Sequence, residues 1–199
     1  IERGDCIEKR VATVDSFFNG DDLNVESNVM FGAGGAGTFS DGKLNTQTHS
    51  PYNRDVLETF VRFGAPQEIL YLNKPHIGSD KLKTVVKNMR QYIIAQGGKV
   101  LFHTRLEEIF MKDGRVDEVA IRTLNADMVP SNEGAGLEIM PVSAVVLAIG
   151  HSARDTFEML HALGVPMIRK PFSIGARIEH SQKMVDRSQY GTAAGHPAL

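Results

Sequence analysis

Five glycines fall within the eleven positions from Gly32 to Gly42, at Gly32, Gly34, Gly35, Gly37 and Gly42. No helix or strand tolerates glycine at that density, so this stretch has to be a loop, and the regular elements must be built on either side of it. With 199 residues and 42% apolar side chains, the chain can bury one sizeable core with part of a second. No apolar run approaches the length of a membrane span, so no membrane association is expected. Net charge is −2 with dispersed basic residues, which leaves no footprint for a nucleic-acid backbone. Cys6 is the single cysteine, which excludes an intrachain disulfide, a CxxC redox pair and a cysteine-rich zinc site. Redox chemistry would therefore need a bound cofactor. The opening "IERGDCIEKR" lacks the pattern of a secretion signal, and the expected location is the cytoplasm.

Helical spacing of Val56, Leu57, Phe60, Val61 and Phe63 predicts a short helix stopped by Gly64 and Pro66. A longer helix near residues 80–96, capped by Ser79 or Asp80, follows from Leu82, Val85, Val86, Met89, Ile93 and Ile94, with Gly97 and Gly98 as its stop. Asp15 to Gly20 reads as a short helix or turn. "KVLFHT" reads as a strand, and "LEEIFMKDGRVDEVAIRTL" as two strands turning at Asp113-Gly114. The run Val145 to Ile149 is apolar on both faces, the pattern of a strand buried in a parallel sheet. A helix with Phe157, Leu160 and Leu163 on one face comes next, and "KPFSIGARIEHSQ" marks the passage into another subdomain.

The opening "IERG" can be the end of a strand followed by an acidic residue, Glu2, and an acid there is what a dinucleotide fold uses to accept hydrogen bonds from a ribose diol; a solvated surface glutamate is the plain alternative. "FGAGGAGTFSDGKL" can converge backbone N–H groups on an anion or lie against a flat ring, with Thr38, Ser40 and Lys43 adding hydroxyls and a charge. Leu44 follows Gly42-Lys43 where a P-loop needs serine or threonine, which sets nucleotide hydrolysis aside. Gly150, His151, Ser152 and Arg154 lie just beyond the apolar run, a ligand-collecting position in open α/β sheets. His151 is the one weak candidate for acid–base work, with a structural hydrogen-bonding role as its alternative; His76 and His180 carry the same ambiguity. The seven histidines are scattered and suggest no metal site.

In order and spacing, "IERG", "GGAGTFSDGKL", "VLETFVRFGAP", "KPHIGSDKL", "LAIGHSARDTF" and "KPFSIGARIEH" resemble a family of FAD-dependent dehydrogenases labelled NAD- or FAD-utilizing dehydrogenases. The resemblance implies an α/β fold: an FAD/NAD(P)-binding Rossmann-like domain of three layers, with a parallel sheet plus a β-hairpin or meander. It implies that residues 1–154 form this domain without its first strand and GxGxxG loop, and that 155–199 begin a substrate domain. The cofactor would be FAD, with NAD(P)H as a co-substrate and a small molecule as substrate. Glu2 would meet the adenosine ribose, Arg10 the cofactor phosphates, and Gly34, Gly35, Ala36, Gly37 and Thr38 the flavin and pyrophosphate. Leu106 would offer backbone contacts to adenine, and Gly150 and Ser152 would flank the cofactor. A non-catalytic module binding a nucleotide or a partner protein is the alternative. A flavin-dependent RNA-modifying enzyme is disfavoured by the absence of a basic face and a cysteine pair.

Overall fold

The computed structural model describes the chain except residues 41, 45, 47, 125–135, 177, 198 and 199. It forms two compact units, Ile1–Val165 and Pro166–Leu199.

In the first unit, helix α1 (Ile7–Phe18) buries Ile7, Arg10 and Val14 along one face. Arg10 takes a core position in that stripe, so the apolar period is broken in the sequence although the helix is real. Helix α2 (Asn53–Arg62) and helix α3 (Ser79–Ala95) stand where the spacing placed them. Around them Ala65, Ile69, Ile77, Leu82 and Val85 form one buried cluster. The cap of α3 is Gly78, with no side-chain hydrogen bond from Ser79 or Asp80. Arg90 of α3 reaches Glu8 of α1 with two bonds of 2.9 Å.

That pair yields a direct test. The Arg90 guanidinium holds the Glu8 carboxyl at about 2. Glu8 is half exposed, so its stabilisation is screened and modest. Because its pKa is depressed on folding, this contribution is complete above the ordinary carboxyl range and disappears as pH falls toward the folded value. Arg90→Ala is expected to return the Glu8 titration to the ordinary glutamate range near 4.3 when followed by NMR; a Glu8 titration unmoved by the substitution would refute the pairing.

Strands β1 (Thr104–Lys112), β2 (Arg115–Thr123) and β3 (Leu137–Pro141) make a three-stranded antiparallel sheet in sequence order. β1 and β2 turn across Asp113 and Gly114, both at positive φ, as the Asp-Gly signal required. Glu107 is the extra residue of a bulge opposite Ile121 and Ala120. It accepts from Arg105 at 2.6 Å and Arg122 at 2.7 Å. One face of the sheet packs on helix α4 (Arg154–Ala162) through Ile109, Val119, Ile121 and Leu160.

The expected parallel Rossmann-like sheet is not what the chain forms: the sheet is small, antiparallel and a meander. Val145 to Ile149 is not a strand. A strand is held by a neighbour that satisfies its N–H and C=O groups, and no strand among the described residues lies beside this run. Instead Val145 and Ile149 lean on the sheet cluster while Val146 is 90% exposed. "KVLFHT" likewise becomes irregular before Thr104. His103 sits there at φ 51°, and backbone bonds link Glu2 with Leu101 and Thr104.

The second unit holds helix α5 (Gln182–Tyr190), capped by Ser181, whose hydroxyl accepts from the Met184 N–H. Phe172 and Ile174 are strongly exposed.

Candidate functional site

A cavity of about 840 Å³ opens in the first unit. Its walls come from four distant stretches: Ile1 to Arg3, Val25 to Ala36, the sheet at Leu106, Val119 and Met140, and Val142 to Thr156. Much of the lining is aliphatic, and the charged groups and the histidine are Glu2, Arg3, Glu26, His151, Arg154 and Asp155. An apolar enclosure with a few grouped polar atoms is how small-molecule sites are made, within a usual range of roughly 300–1,000 Å³.

Glu2, Gly35, Ala36, Leu106, Gly150, His151 and Ser152, all singled out in the sequence, meet on this surface, together with Gly32 of the glycine loop and Arg154. Glu2 accepts from the Gly4 N–H at 2.9 Å through one carboxylate oxygen. His151 Nδ1 and Ser152 Oγ lie 2.7 Å apart at the exposed end of the wall. Gly35 opens onto free space, where a Cβ would meet nothing within 4 Å, and so does Gly37, which is not part of the lining.

The remaining positions lie elsewhere. Arg10 is fully buried behind the loop. Burial draws its pKa down to about 10, with the Glu2 carboxylate acting in the opposite sense. Its Nε donates to the Asn28 carbonyl, and Nη1 donates to the carbonyls of Gly32, Ala33 and Gly35. Thr38 is buried with its Oγ1 unpartnered among the described residues, and it fills the space a side chain at Gly34 would occupy, 2.3 Å from such a Cβ. Ser40 is exposed and closes the short helical turn Ala36–Phe39. Lys43 lines a separate recess of about 330 Å³ with His76, Gly78, Ser79 and Asp80, and it bridges to His76.

Three charged lining residues had no signal in the sequence. Arg3 donates to Glu26 and to Asp155, joining the start of the chain to the first turn of α4. Burial opposes the Arg3 charge, but the two carboxylates more than offset it and its pKa lies above the ordinary value. Burial raises the Asp155 carboxyl, and Arg3 outweighs this, leaving it below the usual range. With 152 positions between Arg3 and Asp155, only the folded chain reveals the pair.

Among the described residues no group of histidine, cysteine, aspartate and glutamate could hold a metal ion. None of their helices is long and apolar enough to cross a membrane.

No protein-family model matches the chain. It is 45% identical over 198 residues to an uncharacterized protein of Clostridium beijerinckii. The match takes in the whole of this chain but only 34% of the relative, so the chain spans about a third of that protein's length.

Proposed function

We propose that this chain forms part of the cofactor site of an FAD-dependent oxidoreductase, which passes a hydride between a small-molecule substrate and the flavin and uses NAD(P)H as co-substrate. The observation that carries the reading is the convergence of Glu2, Gly35, Ala36, Leu106, Gly150, His151 and Ser152 on one cavity from segments far apart in the chain. The family resemblance assigns Glu2, Gly35, Ala36, Leu106, Gly150 and Ser152 to a flavin dinucleotide, and His151 is the acid–base candidate beside them.

The residues present fit such a group. The second carboxylate oxygen of Glu2, beyond the one bonded to Gly4, is an acceptor for a ribose hydroxyl. The side-chain-free face of Gly35 and the aliphatic wall from Val142 to Ile149 accept a flat ring. When bound, FAD supplies two-electron hydride chemistry that no side chain offers. The chain's own part is to exclude water with Met30, Phe31 and Leu106 and to hold charge in place through Arg3, Glu26 and Asp155. His151 and Ser152 stand at the exposed end, where a proton can be exchanged with solvent. A cytoplasmic setting belongs to the same proposal and agrees with the unpaired Cys6.

The visible absorption spectrum of the purified protein tests this, together with identification of any released chromophore. FAD released from a yellow protein that NAD(P)H bleaches is the expected result. A colourless protein that takes up no added FAD sinks the reading and leaves a non-catalytic binding module.

A further inference from the structure

Arg3 joins three of the four walls of the cavity through one guanidinium. Its Nη2 donates to Glu26 at 2.5 Å and its Nη1 to Asp155 at 2.5 Å, while Nε is buried with no partner among the described residues. The two bonds are unequal. Glu26 is largely covered, with 14% of its side chain exposed, whereas Asp155 keeps 49% and its bond faces water. An exposed ion pair adds little to stability and is screened by salt, so the Asp155 half parts first while Arg3 stays on Glu26.

The wall that Asp155 closes has little else to hold its backbone. The Val142 N–H donates to the Asp117 carbonyl at 2.9 Å, and the Ser152 carbonyl accepts from the Arg154 N–H. Between these points, residues 143–151 take part in no backbone hydrogen bond among the described residues. Val145 and Ile149 lean on the sheet cluster that contains Val119, and Val146 is 90% exposed. A segment held by a few side chains and no backbone bonds opens at low free-energy cost. Gly150, at φ 69° with open space where a Cβ would stand, gives the chain a place to turn before α4. The sheet supplies the floor of the cavity, and Val119 on that floor is only 2% exposed.

We infer that residues 143–153 form a flap over the sheet floor of the cavity, latched shut by the Arg3–Asp155 ion pair and released when that pair is screened or broken. The flap governs the entry of a small molecule and is independent of which molecule the cavity holds, so the flavin reading can fail and leave it standing. Arg105 of β1 also attracts the Asp155 carboxylate, and a weaker pull therefore remains when Arg3 is removed.

The test labels a single thiol on the floor with the uncharged reagent dithiodipyridine, with Cys6→Ser removing the one native thiol. Val119→Cys should label slowly and speed up about 2- to 5-fold between roughly 0.01 M and 1 M salt. Arg3→Gln in that background should raise the low-salt rate by about 10-fold and abolish the salt response. Asp155→Asn keeps a hydrogen bond and drops the charge, so it should give a smaller rise and the same flat salt response. Val85→Cys, fully buried in the other cluster and outside the cavity, should stay unreactive throughout. Leu106→Cys, a second floor position, supplies the same reading if Val119→Cys does not fold. A floor thiol whose rate ignores Arg3→Gln would overturn the inference, since no latch is then present. One that accelerates only in step with Val85→Cys would also overturn it, because global unfolding then exposes both.

Discussion

Gly4→Ala is expected to destabilise the protein by about 3 kcal/mol or more, one of the two largest effects of any single substitution considered. A Cβ at Gly4 would lie 2.6 Å from the Glu26 carbonyl oxygen and 2.7 Å from the Gly32 Cα. Both are backbone atoms, so no side chain can swing aside. The start of the chain would have to separate from the loop that carries Glu26 to Gly35, taking with it the wall formed by Glu2 and Arg3. For a chain of this size the melting midpoint should fall by roughly 6–12 °C. Gly37→Ala is the contrast: its Cβ would meet nothing within 4 Å, and its effect should stay within about 0.5 kcal/mol. Equal melting curves for Gly4→Ala and wild type would show that the two segments are not in this contact.

The second large effect is expected at Asp5, which is 1% exposed. His103 Nε2 lies 2.8 Å from its Oδ1 and the Lys9 ammonium 3.2 Å away, while the Asp5 N–H donates to Ser27 Oγ. Burial pushes the carboxyl up, but His103, Ser27 and Lys9 together outweigh it and hold it below the usual range. Asp5→Ala leaves a buried gap and takes an acceptor from His103 and Ser27, while Lys9 and His103 stay within reach of water, so it should cost about 1–3 kcal/mol near neutral pH. The sign of the pH dependence follows from the depressed value: the contribution is whole above the unfolded carboxyl pKa and is lost as pH falls through the folded one. Urea denaturation of wild type should therefore show a loss of stability that sets in as pH falls below the ordinary carboxyl range and is shallower in Asp5→Ala. Parallel acid limbs would show that Asp5 is not held as described.

The elements legible in the sequence are those whose signal is local. α2, α3 and α4 declare themselves through apolar spacing, and the hairpin through Asp113-Gly114, because each depends on residues a few positions apart. The first half of α1 escapes notice because Arg10 occupies a buried position that the apolar stripe would need. β3 escapes because Leu137 and Ile139 are exposed and only Met140 of its apolar residues adds to the sheet cluster. Val145 to Ile149 misleads in the other direction. Its unbroken apolar character is that of a cavity wall, which resembles a buried strand in composition while lacking the neighbour that would make it one. The same limit applies to the site. The glycine loop, Glu2 and the stretch after Gly150 carry local chemical signatures, whereas Arg3, Glu26 and Asp155 acquire meaning only through one another.

The Arg3 link also sets an order of assembly. The β1–β2 hairpin closes over a two-residue turn, an event of roughly microseconds. Arg3 and Asp155 close a loop of 152 positions, and the entropy lost in that closure is recovered only once the sheet and α4 are already packed. The cavity wall is thus finished last in folding. Native fluctuations that part Arg3 from Asp155 undo that final step first, so this wall of the cavity is expected to open more readily than the sheet behind it.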